Sequence, residues 1–224
     1  MRRWLIVLVA CAAVAVGVPA AWLVTRPAAN AGVPVASVGV PAAAASSTPP
    51  AAGGNGSLPT LTARPATPPS DASSPSPSRI RVPALGIDAA VEPVGVDARG
   101  FMAIPREVAQ VGWYRFGPAP GDPAGAAVIA GHVDTRQQGA GALFPLRAVD
   151  VGDLISVTVP GRELRYRVVG KQTIVKQRLP VEELFARDGA PRIVLITCGG
   201  PFVPELASYR DNLVVVAAPV AGSQ

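Results

Sequence analysis

The sequence contains two cysteines and one histidine. Cys198 ends the apolar run IVLITC (193–198) and is followed by two glycines and a proline. Such a thiol can cap a core strand, pair in a disulfide, ligate a metal or act as a nucleophile. Cys11 lies in an apolar amino-terminal run, on the far side of a 52-residue spacer, so a disulfide drops out. Structural zinc requires four nitrogen or sulfur ligands, whereas the chain beyond residue 78 offers one cysteine and one histidine. The following GGPFVPEL carries no acidic cluster of the kind that binds calcium. No metal or cofactor is expected, and an inert core thiol and a nucleophile remain.

A free thiol titrates near 8.5 and becomes a useful nucleophile when an adjacent imidazole takes or balances its proton. Only His132, in AVIAGHVDT, can serve; the bland alternative is a strand-end histidine satisfied by its surroundings. Acyl transfer also needs a donor for the developing oxyanion. Arg210, in ASYRDNLVVVAAP, is the candidate, because a guanidinium donates at any working pH. Its plain alternative is a surface ion pair with Asp211 or Asp134.

These residues stand at or beside the ends of short strands. RIRVPALGIDAAVEPVGVD reads as two strands about a turn at 83–86, and GFMAIP as a third. AAVIAGHVD is a small-residue strand suited to a crowded interior. LISVTVPGRELRYRVVGKQTIV reads as strand, Pro-Gly turn, strand, and LPVEELFARDG as a short helix. RIVLITC and NLVVVAAPV are continuous apolar runs of the kind found in strands buried on both faces. Seven or eight strands with one or two short helices point to an all-β, closed or nearly closed barrel over residues 79–219, with a tail at 220–224.

Before that domain, MRRWLIVLVACAAVAVGVPAAWLVTR opens with two arginines and is uncharged over 4–25, about 33 Å as a helix against a hydrocarbon core of about 30 Å. Residues 1–26 are therefore expected to be an uncleaved signal-anchor, amino terminus in the cytoplasm and domain outside. LVAC (8–11) also resembles a lipoprotein lipobox, although the chain stays apolar beyond it. Residues 27–78 are rich in Pro, Ala and Ser and are expected to form a disordered linker without specific contacts. Residues 1–78 carry +3 of the net +5, and no basic run with interleaved aromatics occurs, so nucleic-acid binding is excluded.

AGHVDT, ITCGG and YRDNLVVVA, in that order, with ALFPLRAVDVGDLISV between the first two, resemble the bacterial sortases, in particular the actinobacterial class F group. The resemblance covers residues 79–219. It implies an eight-stranded β-barrel and a cysteine transpeptidase of the cell surface. Such enzymes cleave an LPxTG-like sorting motif between Thr and Gly through a thioacyl intermediate, which passes to an amine of peptidoglycan precursor or a pilin lysine. By motif, Cys198 is the nucleophile and His132 its partner and the acid for the leaving amine. Arg210 orients substrate and stabilises the oxyanion, and Thr197 supports the substrate carbonyl. Arg210 departs from the common pattern in that Asp-Asn separates it from the apolar strand. Rival readings are a hydrolytic surface protease using the same residues and a non-catalytic wall-binding module. An L,D-transpeptidase would need a serine-and-glycine-flanked cysteine closely followed by arginine, which this sequence lacks.

Overall fold

Alternation along RIRV and IDAAVEPV decides which way each side chain faces. Ile80, Val82, Ile87, Ala89 and Val91 turn inward, while Arg79 and Arg81 turn outward to Asp88. The computed structural model describes residues 30–34, 37 and 75–222. The expected membrane segment, most of the spacer and the last two residues lie outside them. Among the described residues no helix is long and apolar enough to cross a membrane.

In chain order the strands are β1 (Ala31–Gly32), β2 (Arg79–Val82), β3 (Ile87–Val94), β4 (Gln110–Tyr114), β5 (Ala126–Gly131), β6 (Asp134–Thr135), β7 (Gly139–Ala140), β8 (Leu154–Val159), β9 (Arg162–Val175), β10 (Arg192–Val203) and β11 (Ser208–Pro219). Eight of them form one sheet in the order β9-β11-β10-β5-β4-β3-β2-β8, and β8 pairs again with β9 to close it. The architecture is the expected all-β, closed eight-stranded barrel. Only β3–β4 and β5–β10 run parallel among its pairs.

The inner face packs Ile80, Val111, Trp113, Ile129, Leu195 and Val215, closed at one end by Leu143, Leu146 and Val149. A second core lies outside the barrel, where Val128, Val194, Ile196, Val214 and Val216 pack beneath Leu184. β5, β10 and β11 are therefore covered on both faces, which accounts for their unbroken apolar sequences. Leu184 comes from Val181–Leu184, a single helical turn where the sequence suggested a fuller helix. GFMAIP makes one bridge, Val96 to Met102, and no strand: Asp97 accepts the Arg99 and Phe101 amides, curling the chain into a turn. β4 was not anticipated; QVGWY is too short, and centred on a glycine, to carry a strand signal alone.

The largest fully buried side chain is a lysine. Lys171 Nζ donates to the carbonyls of Val149 (2.7 Å) and Arg147 (3.3 Å), tying down the turn that closes the barrel end. Burial pushes its pKa down, and Asp150 and Asp153 partly oppose that.

The expectation of a contact-free spacer over 27–78 is corrected at its start. β1 adds to the outer edge of β9, pairing Ala31 with Lys171 and Gly32 with Gly170. Val33 N donates to Val169 O (3.1 Å), and Thr173 N donates to Asn30 Oδ1 (2.8 Å). An otherwise open strand edge is a template for such pairing. The approach is close: a Cβ on Gly170 would lie 2.4 Å from Val33 O. Gly170→Ala is expected to undock Ala31–Gly32 and leave the barrel folded. Hydrogen exchange should then show the Val33 and Thr173 amides losing protection while those of β10 keep theirs; unchanged protection at Val33 would refute the docking.

Candidate active site

The parallel ladder between β5 and β10 ends at Ile196 paired with Ala130. The same register sets Thr197 beside Gly131 and Cys198 beside His132. Thr197 Oγ1 donates to Gly131 O (2.9 Å), so the two strands stay joined up to the residue before each reactive group. Across the antiparallel pair, Cys198 faces Asn212 of β11. Period-two alternation puts Cys198, His132 and Asn212 on the barrel's outer face and Thr197 and Leu213 on its inner face. The Cys198 thiol is free and partly exposed.

Cys198 stands between two cavities. The outer groove, about 610 Å³, is lined by His132, Cys198 and Asn212, by apolar Ile104, Leu179, Val181, Phe185 and Ile196, and by the cations Lys176 and Arg187. The second, about 440 Å³, opens at the barrel mouth and is lined by Cys198, Thr197, Phe144, Arg147, Lys171, Tyr209 and Leu213. Beyond His132 the chain is held by Gly141 N donating to Val133 O (2.8 Å) and by the β6–β7 pair.

β10 does not stop at its glycines, as the sequence suggested, but continues to Val203 through a bulge. Gly199 pairs with Asp211 and Phe202 with Tyr209, leaving Gly200 and Pro201 opposite Arg210 alone. Gly200 has φ +70°, and a Cβ there would fall 2.1 Å from Asp211 Oδ2. The second glycine after the cysteine thus makes room for the Asp211 carboxylate. That carboxylate grips Arg210 with both oxygens, from Nε (2.7 Å) and Nη2 (2.8 Å). Arg210 hydrogen bonding holds the Asp211 carboxyl below the usual carboxylate range, against an opposing effect of burial. Arg210 follows Asn212 by period two towards the outer face, yet it lines neither cavity and is held in the pair with Asp211 that the bland reading allowed.

Thr197 is buried and lines both cavities, and its one hydroxyl proton goes to Gly131 O, so in the free protein it ties the two strands together. Sequence reasoning missed Tyr209 and gave Asp134 only a share in an arginine pair. Tyr209 OH donates to Asp134 Oδ2 (2.6 Å), bridging β11 to the residue two beyond His132. The Asp134 bond, burial, and the charges of Asp134 and Cys198 raise the Tyr209 pKa, with Arg147 opposing, so its hydroxyl remains a donor beside the thiol. The one available signal was position: Asp134 and Tyr209 flank His132 and Arg210 in sequence.

Thr197→Val is expected to leave Gly131 O buried without its donor and to cost about 1–3 kcal/mol, read from the denaturant midpoint, with Thr197→Ser close to wild type. The lowered Asp211 carboxyl sets a pH window. Stability from its pair with Arg210 is fully present above about pH 4, the ordinary carboxylate value, and lost as pH falls through the lower folded value. The stability advantage of wild type over Asp211→Asn should therefore shrink in acid; a constant difference down to pH 2 would contradict the pairing.

A sequence profile of the sortase domain matches residues 80–220. A search of curated proteins finds no match. Among solved structures, sortase C-1 from Actinomyces oris is 22% identical, with a TM-score of 0.50 over 63% of this chain and 70% of that one. A lid mutant of sortase A from Corynebacterium diphtheriae is 24% identical, with a TM-score of 0.50 over 68% and 74%. Sortase C2 of Group B Streptococcus pilus island 1 is 18% identical, with a TM-score of 0.50 over 63% and 72%. At these identities the likenesses speak to the fold alone. With the profile covering more than half of the chain, and with the cysteine and histidine at adjoining strand ends of the barrel, the chain belongs to the sortase family of cysteine transpeptidases.

Proposed function

We propose that the protein is a membrane-tethered sortase of the class F type. It would cleave an LPxTG-like sorting motif between Thr and Gly and pass the acyl group to a cell-wall or pilin amine. The observation that carries this reading is the shared register of Cys198 and His132 at the end of the β5–β10 ladder, open to one groove. The Cys198 thiolate attacks the Thr carbonyl, and the imidazolium of His132 gives its proton to the leaving Gly amine. The apolar part of the outer groove, formed by Ile104, Leu179, Val181, Phe185 and Ile196, suits the Leu-Pro portion of the motif. Arg210 serves as donor to the oxyanion once its fork turns from Asp211 towards the bound peptide.

The class assignment rests on AGHVDT, ITCGG and YRDN, and the anchoring on the apolar run at 4–25. If that run spans a membrane, docked β1 leaves only residues 27–29 between anchor and barrel, a reach of about 10 Å. The barrel then works close against the outer membrane face, where lipid-linked wall precursors stand.

A panel of LPxTG-like peptides, offered with an amine acceptor, tests the reading. Cys198→Ala is expected to abolish cleavage and His132→Ala to reduce it at least about a hundredfold. Arg210→Lys, which keeps charge but loses the planar fork, should cost about ten- to a hundredfold in kcat. Full activity without Cys198, or product formed only by hydrolysis at every amine concentration, would sink the assignment.

A further inference from the structure

We infer that the barrel-mouth cavity is the acceptor site, and that Arg147 selects an acceptor bearing a free carboxylate on the carbon that carries its nucleophilic amine. This deepens the transpeptidase reading and rests on it. With the outer groove filled by the acyl donor, the mouth cavity is the second route to Cys198, and it carries Arg147, Lys171 and Tyr209 on its lining.

Arg147 is exposed, lies over the Phe144 ring with 3.7 Å between its Cζ and the ring centroid, and makes no ion pair among the described residues. A guanidinium resting on a ring keeps its N–H donors free to grip a carboxylate through two bonds. The segment bearing it is fixed from below by Lys171, which donates to the Arg147 and Val149 carbonyls. The Lys171 charge is itself offset by those carbonyls and by Asp150 and Asp153, which leaves Arg147 as the uncompensated cation of the cavity. Opposite it stands the Tyr209 hydroxyl, bonded to the Asp134 carboxylate. Arg147 and Cys198 both act on the Tyr209 phenol, so cation, thiol and the Asp134–Tyr209 pair share one small neighbourhood.

An α-amino carboxylate fits this layout. Its carboxylate meets Arg147, and its nitrogen lies between Cys198 and the Asp134–Tyr209 pair. In the transfer step the neutral amine attacks the thioacyl carbon. A C–N bond replaces the C–S bond, the electron pair returns to sulfur as thiolate, and the proton shed by nitrogen goes to the His132 imidazole. The free amino acid end of a diaminopimelate side chain has the required form. The amine of an oligoglycine bridge or of a protein lysine lacks the carboxylate.

The test compares 2,6-diaminopimelate with its diamide as acceptors for the full-length protein in detergent micelles. The diamide has the same skeleton and a lower amine pKa, which by itself favours the diamide as nucleophile. Wild type is expected to show a KM about tenfold lower for diaminopimelate. Arg147→Gln should bring the two KM values together, and Arg147→Lys should keep part of the preference. A wild-type ratio near one, or a preference that survives Arg147→Gln, overturns the inference while leaving the transpeptidase reading intact. A second readout needs no sorting peptide: diaminopimelate, and not its diamide, should slow alkylation of Cys198 by iodoacetamide, followed on the peptide that carries it. Equal protection by the two compounds overturns the inference. A thiol inert to the reagent, with no peptide cleaved, removes the transpeptidase reading itself.

Discussion

The parallel pairing of β5 with β10 is the constraint on which the site depends. Parallel neighbours cannot be joined by a tight turn, so β5 and β10 are separated by β8, β9 and all their connections. Only barrel closure brings them together. Once adjacent, they are buried on both faces, inside by Ile129 and Leu195 and outside by Val128, Val194 and Ile196. At about 1.5–3 kcal/mol per buried branched side chain, this ladder is among the least deformable parts of the fold. Cys198 and His132, two residues past its end, inherit that rigidity, because the Thr197 bond to Gly131 extends it to the last residue before each.

β11 needs a different device. An unbroken antiparallel ladder would pair every residue after Cys198 and leave no choice in where the next cation points. The bulge at Gly200 and Pro201 removes Arg210 from the ladder, and Asp211 then fixes it by charge and geometry. The guanidinium is thus parked on a carboxylate in the free protein, positioned yet not committed to the thiol. The same β11 segment turns Tyr209 the other way, into the barrel mouth. One strand end therefore supplies polar groups to both sides of Cys198, Asn212 to the groove outside and Tyr209 to the cavity inside.

Much of this was legible in the sequence, for identifiable reasons. Continuous apolar runs marked β10 and β11 because strands covered on both faces have no polar phase, and the turns at 83–86 and at Pro160-Gly161 marked β2, β3, β8 and β9. Cys198 and His132 stood out because no other residue could compete with them, and the structure sets them side by side at adjoining strand ends. The bulge was not: two glycines and a proline signal a break, and whether the strand resumes depends on the partner across from it. The Thr197 bond was not legible either, since sequence gives a hydroxyl's position and not the carbonyl that takes its proton. Asp134 and Tyr209 are 75 positions apart, and only the closed barrel joins them.

The spacer illustrates the same limit from the other side. Composition argues that Pro, Ala and Ser cannot build a core, but it does not follow that such a chain makes no contacts. Strand addition uses backbone groups, and these are the same in every sequence; what it demands of side chains is that they be small enough for close approach. Gly32 against Gly170 meets that demand, and Asn30 adds one side-chain bond at the end. The position of this contact has a consequence for reach. If residues 4–25 anchor the chain in a membrane, docking at residues 30–34 takes the whole stretch between 34 and 75 out of the path from anchor to barrel, because a tether's length counts from its last fixed point. A spacer that would allow a working radius of about 40 Å as a free coil then contributes almost nothing to distance. Its effect becomes orientation, because β1 lies on β9 beside Lys171 and Thr173, two of the residues that line the barrel mouth.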